Sequence, residues 1–303
     1  MEILARLLPI FAQTILPVFL AAATGLLLAR SMQLDGRTLG RVLFYICSPA
    51  LVLRSLSQME LSGESLRQVV TVAVTIMVIT ALLGWLVSAN MGRKERAAIT
   101  LTSGIANNGN MGIPVALFAF GNPGVEIATI YYVISSIMTN TVGSIVASAG
   151  STAIREAIAQ VVRVPMIYAA ALGLFLNWTT IAIPTPIFRA VDLLGSAAVP
   201  LMLIMLGIQL SNASFLQRQQ GVSRSVAVRL LASPLLAWGL CSLLGITGLA
   251  RNVMIVQSAM PTAVIISVLA GEYDTAPRLV ATIIVISTLA SMATLSLILA
   301  FLL

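Results

Sequence analysis

The sequence predicts an all-α polytopic membrane protein. Hydrophobic residues make up 59% of the 303 residues, charged residues make up only 9%, and the mean hydropathy is +1.03. A soluble domain is about 25% charged, so this chain has too few charges to cover a surface that faces water. Long runs of Leu, Ile, Val and Ala favour helices, because the strands of a membrane barrel would show short alternating segments.

Charged or turn-rich breaks divide the chain into ten apolar segments of spanning length. These predicted spans lie at 7–29, 39–57, 67–89, 97–120, 125–147, 165–183, 187–211, 222–244, 250–271 and 277–302. The first span, with Arg6 before it and "AAAT" within it, resembles a signal peptide. The repeat described next gives it a counterpart in the middle of the chain, so we interpret it as a structural helix.

An internal repeat relates the two halves of the chain. "PVFLAAATGLLLA" resembles "PMIYAAALGLFLN", and three pairs of prolines recur in the same order at offsets of 148, 151 and 147: Pro17 and Pro165, Pro49 and Pro200, Pro114 and Pro261. We therefore expect two five-helix repeats, 1–147 and 164–303, joined by a short cytoplasmic linker at 148–163. Since five is an odd number of crossings, the second repeat is inverted, which is a plan typical of secondary transporters.

The basic residues predict an orientation. Of the 17 Lys and Arg residues, twelve fall on one side of the predicted spans, and Arg229 is counted among them. The positive-inside rule makes this side cytoplasmic, so both termini are expected outside, across the inner (plasma) membrane of a bacterium. The net charge of +7 is thus assigned to orientation and to anionic lipid, and no nucleic-acid partner is expected.

The fourth and ninth spans are predicted to be broken near their interior prolines, Pro114 and Pro261. An interior proline removes a backbone hydrogen bond and clashes with the preceding turn. A simple kink is the alternative, but polar residues flank both prolines: Asn107, Asn108 and Asn110 in one span, and Gln257, Ser258 and Thr262 in the other. We therefore take these eight residues as substrate-binding candidates in two unwound segments.

The helix ends at such breaks carry partial charge. Half-helix N-termini present free N–H groups and about half a positive charge each, so two converging ends would favour an anion such as a carboxylate. The C-terminal ends present carbonyls, which could instead hold a cation such as sodium. Arg54, late in the second span, could pair with a carboxylate substrate, although we prefer the interpretation that it reaches the outer interface.

The motifs "NNGNMGIP", "SPALVLRSL", "VPLMLIMLGIQL" and "VQSAMPTAVIISVLAGEYD" resemble the auxin efflux carrier family, in its bacterial form. That family includes PIN-type auxin carriers and carriers for malonate and malate. The resemblance implies ten helices in two inverted repeats. Spans one, two, six and seven would form a scaffold, and spans three to five and eight to ten a transport domain that moves like an elevator. It also implies that spans four and nine cross at Pro114 and Pro261, beside the substrate.

The function expected from these patterns is secondary active or potential-driven transport of a small organic anion, such as malonate, malate or an auxin-like acid. The alternative is a sodium-coupled organic anion symporter of the bile-acid type. A channel and a membrane enzyme are further alternatives, but the chain has no His and shows no nucleophile–base pair, so no catalytic residue, metal site or cofactor is expected. The coupling ion, sodium or proton, and a homodimer are left open.

Overall fold

The computed structural model describes residues 7–32, 36–60, 62–147, 159, 162–211 and 220–303, and these residues are almost entirely helical. We number the helices α1 Leu7–Met32, α2 Gly36–Ser57, α3 Gly63–Val87, α4 Arg93–Gly104, α5 Asn108–Ala147, α6 Pro165–Thr179, α7 Thr185–Ser211, α8 Val222–Leu243, α9 Gly248–Ser258, α10 Ile265–Glu272 and α11 Pro277–Leu302. Most of the predicted linker at 148–163 lies outside the described residues.

The helices expose apolar side chains to their surroundings. Trp178 is 84% exposed and Leu243 is 83% exposed, and many other large hydrophobic side chains on the outer surface are also uncovered. Seven helices among the described residues are long and apolar enough to cross a membrane. An outer surface of this kind is suited to lipid rather than water. The prediction of an all-helical, multi-pass membrane protein is confirmed.

Four helices widen into one π-helical turn just before a proline. These turns are Phe11–Ile15 before Pro17, Leu43–Cys47 before Pro49, Asn108–Gly112 before Pro114, and Val228–Ala232 before Pro234. A proline ring clashes with the preceding turn and cannot donate a backbone hydrogen bond, and a wider turn accommodates both defects. These four prolines therefore modify their helices without ending them.

Helix α5 changes direction at Gly121, where φ is 68° and ψ is −162°. L-residues with a side chain rarely adopt this conformation, and Pro123 follows two positions later. The kink separates the arm that starts at Asn108 from the arm that ends at Ala147. The predicted turn between the fourth and fifth spans falls at this kink.

The helices pack in two groups. In the first group α1 lies along α7, and α6 and α7 pack against α2. Small residues bring α1 and α7 into contact, since a Cβ atom on Gly207 would lie 1.8 Å from the Ala22 carbonyl oxygen. In the second group α3 contacts α4, α5 and α8, while α9 packs on α5 and α8, and α11 packs on α4 and α8. The groups meet where α7 contacts the Asn108–Gly112 turn, where α2 contacts α5, and where the Phe11–Ile15 turn of α1 contacts α5 and α11.

Candidate functional site

Two helices stop and restart in the interior of the second helix group. Helix α4 ends at Gly104 and α5 begins at Asn108, while α9 ends at Ser258 and α10 begins at Ile265. We call residues 105–107 together with the adjoining first turn of α5 the first break, and residues 259–264 together with the adjoining last turn of α9 the second break. The residues between the helices, 105–107 and 259–264, are all buried. Four helix ends therefore converge on one buried region.

The two breaks pair with each other through their backbones. Ala106 and Thr262 form an isolated antiparallel bridge. The Asn107 N–H donates to the Pro261 carbonyl at 2.8 Å, and the Ala263 N–H donates to the Ile105 carbonyl at 3.0 Å. This pairing supplies partners for backbone groups that the breaks would otherwise leave without them. The bridge joins positions 156 residues apart, whereas the recurring prolines indicated an offset of 147. The two broken spans therefore cross at Ala106 and Thr262. Pro114, which was expected to mark the crossing, lies beyond it.

The two prolines have different roles. Pro261 lies within the second break and accepts a hydrogen bond across the crossing. Pro114 lies in the first α-helical turn after the π-helical turn of α5, a position where a helix tolerates proline. In this respect it resembles Pro17, Pro49 and Pro234. The expectation that Pro114 unwinds the fourth span is therefore corrected, because the unwound residues precede it.

A buried network of side-chain amides joins the start of α5 to the end of α9. Asn108 donates through Nδ2 to the Gln257 backbone carbonyl at 2.8 Å and to Gln257 Oε1 at 3.0 Å. Gln257 Nε2 donates to the Gly112 carbonyl at 2.9 Å, and the Ser135 hydroxyl donates to Asn108 Oδ1 at 2.6 Å. Every polar atom of these two amide side chains thus has a partner, so the pair holds the crossing together.

Two glycines of "NNGNMGIP" make room for this packing. A Cβ atom on Gly112 would lie 2.3 Å from Gln257 Oε1, and one on Gly109 would lie 2.5 Å from the ring of Tyr132. Real Cβ atoms do not approach other atoms this closely. The glycines therefore permit two larger side chains to pack directly on the first turn of α5.

The polar groups of the second break are occupied within the protein. The Ser258 hydroxyl donates to the Met254 carbonyl at 2.8 Å and lies 3.0 Å from the Tyr131 hydroxyl. The Thr262 hydroxyl donates to the Thr102 carbonyl at 2.8 Å. Both side chains are completely buried. The crossing thus brings together three of the candidates, Ser258, Pro261 and Thr262. Each of them already has a hydrogen-bond partner within the protein.

The first break keeps polar groups that are not fully used. Asn107 is 5% exposed, and its Nδ2 has no hydrogen-bond partner among the described residues. Asn110 is half-buried, and its Nδ2 lies 3.4 Å from Oε1 of Gln209, which is long for a hydrogen bond. The Asn108 N–H, the first of α5, donates to the Ala106 carbonyl at 2.9 Å, so the spare donors here are side-chain amides. Spare donors therefore collect at the start of α5, next to α7.

Arg229 is the largest completely buried polar side chain, with 1% of its surface exposed. It lies in the π-helical turn of α8, and its guanidinium donates to the carbonyls of Ser103 at 3.0 Å, Gly104 at 3.2 Å and Ser258 at 2.5 Å. It also contacts the Ser233 hydroxyl. Its assignment to the cytoplasmic surface was wrong, because the side chain points into the crossing. An uncompensated buried charge would cost several kcal/mol, so these carbonyls are essential to it.

Arg54 is engaged within the first helix group. Its guanidinium donates to the Asp192 carboxylate at 3.0 Å and to the Ser196 hydroxyl at 2.8 Å, which joins α2 to α7. The side chains of Arg54 and Asp192 are 22% and 52% exposed. This candidate is therefore not brought to the amide network, and Asp192 of α7 is its partner.

The sequence reasoning missed Arg229, Gln209 and Ser135. An arginine within the apolar segment "VAVRLLASPLLAW" was a signal, since charged residues inside membrane helices usually have a function. Gln209 is the only amide in "VPLMLIMLGIQL", and it could have been noticed for the same reason. Ser135 gave no signal, because serine is common in membrane helices and its role depends on which helix it meets.

Comparison with known proteins gives a consistent result. The model of the family described as "Membrane transport protein" matches residues 6–299. An uncharacterized transporter of Methanothermobacter thermautotrophicus is 31% identical over 271 residues, which cover 87% of this chain and 88% of the relative. A protein of Rhizobium meliloti named "Putative malonate transporter" is 24% identical over 298 residues, which cover 92% of each chain. An uncharacterized transporter of Methanocaldococcus jannaschii is 26% identical over 272 residues, 86% of this chain and 88% of the relative.

Proposed function

The chain belongs to the membrane transport protein family, which includes the auxin efflux carriers, and from this premise we propose that it carries a small organic anion across the membrane. The transport is secondary active or driven by the membrane potential. A short mono- or dicarboxylate is the proposed substrate class, and malonate is the first acid to test because one relative carries that name.

We propose that the ten predicted spans cross the membrane as two inverted five-helix repeats. In this proposal the first helix group is the scaffold, and the second group moves against it as an elevator that carries the two breaks. The separate packing of the two groups supports this division. Contacts between them at the start of α5 would have to break and reform as the substrate crosses.

The observation that carries the proposal is the set of spare donors at the first break. The Nδ2 atom of Asn107 has no hydrogen-bond partner among the described residues, and the Nδ2 atom of Asn110 makes only a long contact, both at the N-terminus of α5. Amide donors and a positive helix end are suited to a carboxylate. Asn110 and Gln209 come from the two helix groups, so an anion held there would lie between them.

Uptake of labelled malonate and related acids into proteoliposomes tests this proposal. Wild-type protein is expected to transport at least one of these acids. The substitution Asn110→Asp should lower apparent affinity by at least tenfold at neutral pH, because it replaces a donor with a like charge, and one hydrogen bond to a charged group contributes about 1.5–3 kcal/mol.

Asn140→Asp is the matched control. Asn140 is also half-buried on α5, but its Nδ2 donates to the Ser136 carbonyl of its own helix at 2.8 Å. This variant should transport within about twofold of wild type if the effect depends on position and not on the added charge. A wild-type protein that moves no organic acid under any ion gradient would overturn the proposed function.

A further inference from the structure

The guanidinium of Arg229 lies between the C-terminal ends of two helices. It donates to the Ser103 and Gly104 carbonyls at the end of α4 and to the Ser258 carbonyl at the end of α9. Ser233, one turn further along α8, donates to the same Ser258 carbonyl at 2.7 Å. One positively charged side chain therefore joins the ends of both helices that stop at the crossing.

The local charges balance around this side chain. Each helix C-terminus carries about half a negative charge, so two converging ends amount to about one elementary charge. The guanidinium is always protonated and supplies one positive charge. None of the Asp and Glu residues that the structure describes is buried, and none lies within ion-pair distance of Arg229. The helix ends, and no carboxylate, are therefore the counter-charge of Arg229.

The carbonyls at the end of α4 all have donors. The Leu101 carbonyl accepts from the Ile105 N–H at 2.9 Å, and the Thr102 carbonyl accepts from the Thr262 hydroxyl at 2.8 Å. The Ser103 and Gly104 carbonyls accept from Arg229. The Ile105 carbonyl accepts from the Ala263 N–H of the second break at 3.0 Å. These carbonyls are directed at donors, and a cation placed beside them would be repelled by the guanidinium that two of them accept from.

The end of α9 is occupied in the same way. The Ile255 and Val256 carbonyls accept from the Ala259 N–H, each at 3.0 Å, and the Gln257 carbonyl accepts from Asn108 at 2.8 Å. The Ser258 carbonyl accepts from Arg229 and Ser233. The two helix ends thus offer no oxygen cluster to a second positive charge.

We propose that Arg229 is a built-in cation at the crossing, which fills the place where converging helix C-termini would otherwise bind a coupling ion, so that this protein works without sodium. Arg229 is a positioning residue, since it holds the two helix ends in register and fixes the charge of the site. The transport part of this inference rests on the proposed function, while the ion-binding part is measured without any organic acid.

The ion-binding test is thermal unfolding of purified protein in detergent, in sodium chloride or choline chloride at equal ionic strength. Wild type should show the same melting temperature in both salts. Arg229→Ala should melt at a lower temperature, and millimolar guanidinium, well below denaturing concentrations, should raise it by on the order of 2–4 °C, since a ligand that occupies the vacated place stabilises the folded state. Guanidinium would refill the place of any buried arginine, so the decisive readout is sodium: the melting temperature of Arg229→Ala should be higher in sodium chloride than in choline chloride, which a purely structural arginine would not produce.

Arg224→Ala is the matched control on the same helix. Arg224 is exposed and donates to the Val87 carbonyl at 2.8 Å and to Asn90 Oδ1 at 2.6 Å, so its loss should create no response to sodium or to guanidinium. Arg229→Lys keeps the charge and provides a second variant if Arg229→Ala does not fold; it should remain indifferent to sodium. Wild-type uptake of a transported acid should be equal with and without a sodium gradient.

Two results would overturn the inference. The first is a wild-type protein that sodium stabilises, or whose transport requires sodium, relative to choline. The second is a folded Arg229→Ala variant that responds to sodium no more than wild type or Arg224→Ala does. The melting-temperature measurements use no organic acid, so they can contradict this inference whether the proposed transport function succeeds or fails.

Discussion

The two breaks occupy one buried region and pair with each other, but their side chains are used differently. At the second break the Ser258 hydroxyl donates to a carbonyl of its own helix, and the Thr262 hydroxyl donates to a carbonyl of α4. At the first break the Nδ2 atom of Asn107 has no partner among the described residues, and the Nδ2 atom of Asn110 makes a long contact with Gln209. Polar groups that a protein buries without using them are rare, so the first break is the one prepared for a ligand.

The backbones of the two breaks are used alike, but their side chains differ, so we assign ligand binding to the first break and structural support to the second. The bridge between Ala106 and Thr262 treats the two breaks alike. Arg229 also serves both, since it reaches carbonyls at the ends of α4 and α9. Only the side chains distinguish them, with amides concentrated at the start of α5 and hydroxyls at the end of α9. Substitutions can therefore test each role separately.

The largest effect on stability is expected at Gln257, whose side chain on α9 contacts Asn108 and Gly112 at the start of α5. Gln257→Leu would remove the side-chain donor to the Gly112 carbonyl and one of the two acceptors of Asn108 Nδ2, which keeps the Gln257 backbone carbonyl. We expect a loss of about 2 kcal/mol, because one buried group left without its partner costs about 1–3 kcal/mol. Chemical unfolding in detergent measures it. Gln68→Leu, which removes a surface contact with Glu64, should change stability by less than about 0.5 kcal/mol; equal effects would contradict the assigned network.

A smaller effect should separate the two prolines. Pro261→Ala places a new N–H inside the buried second break and lets α9 extend, so we expect a loss of about 1 kcal/mol. Pro114→Ala should change stability by less than about 0.5 kcal/mol, because Pro114 lies in the first α-helical turn, where a helix accepts both proline and alanine. Melting temperatures of the two variants measure the difference. A larger loss for Pro114→Ala than for Pro261→Ala would contradict the roles assigned to the two prolines.

The helical elements were largely predictable from the sequence. The apolar segment at 222–244 corresponds to the helix Val222–Leu243, and the segment at 277–302 to Pro277–Leu302. Spacing of charges and turn residues determines such limits, because a bilayer excludes both from its core. The same reasoning located the neighbourhood of the site, since amides are costly within an apolar segment and mark a special function.

The exact crossing and the buried arginine were not predictable in this way. Backbone pairing at Ala106 uses no side chain, so nothing in the residue types distinguishes it, and the more visible Pro114 suggested another register. Arg229 was counted as a surface charge because a one-dimensional count cannot show that two helix ends meet beside it. Its partners are carbonyls, and carbonyls leave no mark in a sequence.

The most direct measurement of the central claim, that the first break binds and the second supports, is saturation binding of a transported, labelled carboxylate to two purified variants. Asn107→Leu removes the unpartnered amide, and Ser258→Ala removes a hydroxyl that is occupied within the protein. The account predicts at least a tenfold weaker affinity for Asn107→Leu and an affinity within about twofold of wild type for Ser258→Ala. Unchanged binding in Asn107→Leu, or the larger loss in Ser258→Ala, would contradict it.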